Sequence, residues 1–285
     1  MDIGIGLPNS VREADGRNLI EFARRADQAG FTTLATIDRV AFPSYESLVA
    51  LAAAAAVTER IRLMPNVLLG PTRNPVLLAK EAASVDRLSN GRLVLGVGVG
   101  GRPDDFDAVG LDYHDRGRRW DSDLDLIHRV WAGEVVNGIQ NPVGPAPTND
   151  GRVPLMIGGS TPAAIRRTIS HGIGWTAGGS PPEAMAPFAE QIRTAWKDSG
   201  RPGDPRIAAL SYYSVGQEEA AKRYITDYYA FLGDFANQMA DWVPKDANAI
   251  KNTVKAFEDV GVDELLLDCT VDDPDQVDRL AEIVL

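Results

Sequence analysis

Short apolar and β-branched runs alternate along this chain with longer stretches whose apolar positions recur at helical spacing. The short runs predict strands over residues 2–7, 32–37, 61–68, 93–99, 154–157, 174–177, 207–215 and 264–269. The longer ones predict helices over 18–28, 47–58, 76–88, 118–131, 162–171, 182–197, 218–232 and 247–260, with 275–284 closing the chain. In the first helix Leu19, Phe22, Ala23 and Ala26 share one face, and Gly30 is placed to end it in a left-handed conformation. The first four strands begin roughly 30 residues apart, which suits one strand, one helix and two turns. Eight such units predict an α/β fold, a single (β/α)8 TIM-barrel-like domain over 1–285. An open, doubly wound sheet is the alternative.

Two segments break the spacing. Residues 133–153, "GEVVNGIQNPVGPAPTNDGRV", are rich in Gly, Pro and Asn and read as a loop excursion. Residues 233–245, "GDFANQMADWVPK", read as a second excursion that carries Phe235, Met239 and Trp242. Those side chains either line a cavity or pack under the loop.

Composition narrows the classes. With 285 residues, 44% of them hydrophobic, the chain can bury a large core. The net charge of -11 and the lack of any Lys/Arg run exclude an ordinary nucleic-acid binder. The one cysteine, Cys269, lies in an apolar run, so it reads as a buried, inert thiol. A chain with one cysteine forms no internal disulfide, and a cytoplasmic home is expected. The N-terminus shows no signal-peptide pattern. The longest apolar run, 48–57, is mostly alanine and too short to span a bilayer, so no membrane partner is expected.

Chemistry enters first with "RLVLGVGVGGRPDDF", where Gly96, Gly98 and Gly101 spell G-x-G-x-x-G after a strand. A dinucleotide turn needs that motif in the first unit with a helix opening at once. Here it stands in the fourth unit, before Arg102-Pro103-Asp104-Asp105. The better reading is that Gly98 and Gly100 let a flat ligand lie on the strand end, while Gly96 serves either a ligand or tight packing.

A second signal is "VPLMIGGSTPAAIRR". Gly158, Gly159, Ser160 and Thr161 follow a strand, and Pro162 opens a helix with Thr161 as its cap. Free backbone N–H groups, the helix dipole and two hydroxyls suit an anion such as phosphate, and an ordinary helix cap is the alternative. The histidines His114, His128 and His171 lie far apart and no metal site is expected. His128 and His171 read as structural. His114 in its loop, and Asp38 after the second strand, are the catalytic candidates, although salt bridging explains Asp38 and Arg39 as well. With no evident nucleophile, the pattern points to a cofactor that carries its own chemistry.

The run "ATIDRV", then "NPVLLAKEAASVDRLSNGRLVLGVGVG", "DAVGLDYHDRGRRWDSDLDLIHRVWAG" and "VPLMIGGSTPAAIRRTISHGIGW" resembles the bacterial luciferase-like superfamily. That group uses FMN or the deazaflavin coenzyme F420. The resemblance implies a TIM-barrel-like homodimer with the ring at the C-terminal mouth of the barrel. It implies a bulge, often with a non-prolyl cis peptide, at Asn66-Val67 behind the ring, and the cofactor phosphate at Gly158, Gly159, Ser160 and Thr161. The glycines of the fourth strand then face the ring and its tail. Two features differ from named subgroups. The deazaflavin sugar-phosphate dehydrogenases carry an Asp-His pair and a Glu where this chain has Asp38-Arg39 and Gly101. The luciferase subunits carry an arginine where this chain has Val99.

The expectation is therefore a flavin-dependent oxidoreductase, a monooxygenase that takes reduced FMN from a separate flavin reductase and uses O2 on a small organic substrate. The alternatives are hydride transfer with coenzyme F420 and a non-catalytic flavin-binding carrier or partner. Tyr45, Trp175, Trp242 and His114 are candidates for the pocket wall.

Overall fold

The computed structural model describes residues 1–138 and 140–285. Ile139, within the 133–153 excursion, lies outside the described residues. The strands are β1 (Asp2–Gly6), β2 (Thr33–Thr36), β3 (Arg62–Pro65), β4 (Leu68–Leu69), β5 (Leu95–Gly98), β6 (Leu155–Gly158), β7 (Gly174–Thr176), β8 (Arg206–Tyr213) and β9 (Glu264–Cys269). All recorded pairings are parallel, in the order β3-β2-β1-β9-β8-β7-β6-β5-β4. The helices are α1 (Gly16–Ala29), α2 (Ser47–Ala55), α3 (Pro75–Leu88), α4 (Pro103–Asp107), α5 (Arg116–Trp131), α6 (Pro162–His171), α7 (Pro182–Asp198), α8 (Glu218–Tyr228), α9 (Phe235–Trp242), α10 (Ala247–Asp259) and α11 (Asp275–Val284).

Nine strands stand where the pattern predicts eight because the third is split at the cis peptide Asn66–Val67 into β3 and β4. The ring closes at this split strand. Leu63 accepts from Val94 N–H at 2.9 Å and donates to the Arg92 carbonyl at 3.0 Å. The result is a nearly closed barrel wrapped by helices, the TIM-barrel-like fold that the alternation predicts.

Local signals set the helix ends. Asp15 caps α1 by accepting from Arg17 N–H, and Gly30 ends it at φ 99°. Asn74 caps α3 through Val76 and Leu77 N–H, with Pro75 in the first turn. The predicted helix 218–232 stops at Tyr228 and continues only as a 3-10 turn over Ala230–Leu232, ended by Gly233 at φ 58°. The 233–245 excursion is not all loop, since it holds α9. Ala236 and Ala240 bury its inner face, whereas Phe235 and Trp242 stay exposed and meet edge to face at 5.6 Å.

Strand side chains alternate between the barrel interior and the helix layer. Ala35, Met64, Met156, Ala208 and Leu266 pack together as the interior plug. Toward the N-terminal end, Glu264 closes the barrel, bonded to the Thr33 hydroxyl at 2.6 Å and to Arg62 and Arg206 at 3.0 Å each. Two residues beyond the plug, toward the C-terminal ends, the same alternation places Ile37, Asn66, Gly158, Leu210 and Asp268. That layer is the floor of the barrel mouth.

Candidate functional site

The floor opens beside β6 and β7 into a cavity of about 350 Å³. Asn66, Val67, Gly158, Gly159, Ser160, Trp175, Thr176 and Gly178 line it. Six of the residues singled out from sequence thus meet on one cavity, and Thr161 adjoins them as the cap of α6. Its volume falls in the range of small-molecule sites.

The loop before α6 leaves donors unengaged. Thr161 makes no side-chain cap bond, and Ala164 and Ile165 N–H return to its carbonyl. The first turn of α6 holds no acidic residue, so the positive end of the helix dipole is not offset there. Among the described residues neither the Ser160 nor the Thr161 hydroxyl is engaged within the chain. The Asn66 carboxamide oxygen accepts from the Thr176 hydroxyl at 2.8 Å, while its buried nitrogen has no partner. A buried donor without an acceptor is costly, and an acceptor on a bound ligand would relieve it.

Trp175 fixes the loop from behind: its indole N–H donates to the Gly159 carbonyl at 2.7 Å, and its ring lies 5.1 Å from Phe188. Trp175→Phe keeps the ring packing but removes that bond. We expect a loss of about 1 kcal/mol in unfolding free energy, read by urea denaturation. Unchanged stability would mean that the bond contributes nothing.

The glycines of β5 turn out to serve packing. A Cβ on Gly98 would stand 2.7 Å from Val67 Cγ2, and one on Gly158 would stand 3.1 Å from Val67 Cγ1. Their missing side chains let the Val67 bulge sit against β5 and β6, so any ligand over this surface meets Val67 rather than Gly98. Gly100 leaves the floor altogether. It has φ 74°, faces the Phe106 ring, and its carbonyl accepts from Arg116 at 3.0 Å.

The two catalytic candidates do not join the cavity. Asp38 is enclosed; it accepts from Leu69 N–H at 2.8 Å and pairs with Arg73 at 3.0 Å. It anchors the segment just after the bulge. Arg39 instead pairs with Asp105 and Asp104. His114 is exposed, with its backbone N–H on the Asp112 carboxylate and its ring edge-on to Tyr113. Tyr45 is also off this cavity, its hydroxyl donating to the Ala14 carbonyl at 2.9 Å. Trp242 and Met239 line a neighbouring hollow with Tyr212 and Gly179.

His128 and His171 stack at 5.2 Å between α5 and α6. Burial, and then the neighbouring His171, push the His128 pKa down to about 4. This pair lies in the helix layer, as a structural reading requires. Cys269 is buried, and burial lifts its thiol to about 12.

Sequence reasoning missed one segment of the site and one buried group in the floor layer. One is the loop after β7, where Gly178, Gly179, Ser180, Pro181 and Pro182 repeat the pattern of Gly158, Gly159, Ser160, Thr161 and Pro162 one unit later. That repeat was visible in the sequence. The other is Asp268, fully enclosed at the end of β9 near Tyr212, Tyr224, Tyr228 and Tyr229. Burial, with no cation to offset it, raises its carboxyl pKa to about 8. Burial likewise carries the phenols above their usual range, Tyr229 to about 12.

Comparison with known proteins agrees with this geometry. A family model described as luciferase-like monooxygenase matches residues 1–284. An uncharacterised protein of Mycobacterium tuberculosis is 27% identical over 240 residues, 73% of this chain and 82% of that protein. Among solved structures, monooxygenase RslO1 from Streptomyces bottropensis superposes with a TM-score of 0.81 at 20% identity, covering 100% of this chain and 98% of that one. An F420-dependent secondary alcohol dehydrogenase, solved with an F420-acetone adduct, gives 0.79 at 17% identity, with 100% and 98% covered. The oxygenating constituent of 3,6-diketocamphane monooxygenase from Pseudomonas putida, solved with FMN, gives 0.75 at 17%, with 100% and 96% covered. No helix among the described residues is long and apolar enough to cross a membrane.

Proposed function

Because the chain belongs to the luciferase-like monooxygenase family, we propose that it is a monooxygenase that binds reduced FMN at the barrel mouth and oxidises a small organic substrate with O2. The observation that carries this reading is that the Asn66–Val67 bulge and the Gly158–Thr161 loop share one cavity. The loop would take the phosphate through backbone N–H groups, the Ser160 and Thr161 hydroxyls and the α6 dipole. Val67 would back the ring, and the idle Asn66 amide would donate to one of its acceptors. When bound, reduced FMN supplies the electrons for activating dioxygen, and a separate reductase supplies the reduced FMN. The chain's own task is to position the substrate and exclude water.

One feature favours oxygen use over hydride transfer with coenzyme F420. The residues after β2 are both committed to ion pairs, Asp38 with Arg73 and Arg39 with Asp105. They leave no free acid or base at that strand end. The 350 Å³ cavity and the family assignment also favour a working enzyme over a carrier.

The test is a titration of the purified chain with FMN, reduced FMN and coenzyme F420, followed by fluorescence and calorimetry, with Ser160→Asp as the control. Ser160 is exposed in the loop, so this change adds a negative charge without crowding the fold. Reduced FMN is expected to bind best, and Ser160→Asp to weaken it by at least about tenfold. A preference for F420 would replace the oxygenase with a hydride-transfer enzyme. Equal binding by Ser160→Asp would remove the phosphate from this loop.

A further inference from the structure

Six carboxylates are buried among the described residues: Asp27, Asp38, Asp86, Asp105, Glu264 and Asp268. Five of them are held. Asp27 accepts from three backbone N–H groups, Asp38 and Asp105 pair with arginines, Asp86 accepts from Thr148 N–H, and Glu264 has threonines and arginines. Asp268 alone has neither oxygen bonded. The fold gives every other buried acid at least one partner and leaves this one with none, which calls for an explanation.

Its place is specific. Asp268 stands one inward step beyond Leu266 of the barrel plug, opposite Gly6 on one side and Tyr212 on the other. Gly6 makes the room: a Cβ there would fall 1.5 Å from Asp268 Oδ1. The surrounding phenols are turned to other partners. Tyr224 bonds Ser10 at 2.6 Å, and Tyr212 bonds Tyr229 at 2.7 Å. That second pair also abuts Gly179, where a Cβ would meet Tyr212 at 3.4 Å and Tyr229 at 3.5 Å, and Tyr212 and Gly179 both line the neighbouring hollow. Gly179 lies between Gly178 and Ser180, both on the cofactor cavity. Tyr212 therefore stands between the idle carboxyl and the hollow, which shares Ser180 with the cofactor cavity.

We propose that Asp268 is the polar anchor of the substrate chamber, its carboxyl group taking the carbonyl or hydroxyl oxygen of a small uncharged substrate. The location of the chamber rests on the flavin-type reading above. The titratable groups around Asp268 are Tyr212, Tyr213 and Cys269 on the strands and Tyr224, Tyr228 and Tyr229 on and after α8. Among the described residues no cation pairs with it. With its pKa near 8 the group is a neutral acid at pH 7, able to donate one hydrogen bond and accept others. A ketone carbonyl accepts the donated hydrogen bond, an alcohol both donates and accepts, and a carboxylate finds no positive charge. The same neutral acid explains how the site manages without a His or Lys.

The test uses the whole chain with carbon-13-labelled aspartate, read by NMR, and Asp268→Asn to identify the Asp268 signal. Cyclohexanone and cyclohexanol are the probes, with methylcyclohexane, cyclohexanecarboxylate and cyclohexylamine beside them. We expect the two neutral oxygen compounds to move the Asp268 signal saturably and the hydrocarbon and carboxylate not to. Asp268→Leu should weaken cyclohexanone binding by about tenfold at pH 7, and Asp268→Asn, which keeps a donor, should restore most of it. Above pH 8 the parent should lose cyclohexanone while Asp268→Asn keeps it. An Asp268 signal indifferent to both neutral probes overturns the proposal, and a stronger response to cyclohexylamine makes the site one for cations. FMN added to the same samples separates the two readings. An Asp268 response without FMN binding sinks the flavin reading alone, and FMN binding with a silent Asp268 sinks the anchor alone.

Discussion

Between pH 4 and pH 7, the parent protein should lose about 4 kcal/mol of unfolding free energy relative to Asp268→Asn. The size follows from a carboxyl moved from its usual 3.8 to about 8 by burial. Across that window the unfolded chain has released the proton and the folded chain still holds it. The folded state binds more protons, so stability falls as pH rises, and the fall levels off above about pH 8. Asparagine is nearly the same shape, fits above Gly6, and does not titrate. Its curve lacks this slope, and the two curves should converge near pH 4. Urea denaturation at several pH values reads the difference directly; parallel curves would show that Asp268 is solvated or paired in solution. A cost of this size that an isostere would remove is what a site trading stability for activity carries. That cost is the thermodynamic counterpart of the unpartnered carboxyl at the barrel mouth.

Much of this architecture is legible from local pattern. Strand alternation and the helical faces are short-range signals, so the barrel follows from them, and α1 ends at Gly30 because only a residue at ease with φ 99° fits there. The Gly158–Thr161 loop was readable for the same reason, since helix caps and glycines declare themselves within five residues. The break at Asn66–Val67 leaves no periodic trace in "IRLMPNVLLG" and came only from the family resemblance. α9 was hidden because Phe235 and Trp242 face outward, opposite to what an amphipathic helix pattern assumes. Gly98 read as a ligand seat because the neighbour that fills its space, Val67, lies in the break between β3 and β4. Asp268 was the least visible. Within "ELLLDC" a lone aspartate reads as a strand-end polar residue, and its isolation depends on Gly6 and four tyrosines brought in by the fold. Long-range packing decides such positions, and a local reading has no access to it.

Arg39→Ala should destabilise the chain by about 3–5 kcal/mol at pH 7, and adding Asp105→Ala should recover part of that loss. The Arg39 and Asp105 side chains are 6% and 1% exposed. Arg39 Nε lies 3.0 and 2.7 Å from the two Asp105 oxygens, and its Nη2 lies 2.8 Å from Asp104. One Asp105 oxygen also accepts from Val40 and Ala41 N–H at 2.8 Å each. Removing the guanidinium leaves a buried carboxylate with two amide partners and no counter-charge, which is the expensive way to break such a pair. Removing both partners takes that orphaned charge away, so the double variant should be the more stable of the two. If it is no better than Arg39→Ala, the loss comes from the packing of the arginine stem and not from the pair. The pair also joins the segment after β2 to α4, which follows the glycine-rich end of β5. Both segments stand at the C-terminal mouth, so the single variant should bind reduced FMN more weakly as well as unfold more easily. Weaker binding without lost stability would instead place Arg39 in direct contact with the cofactor.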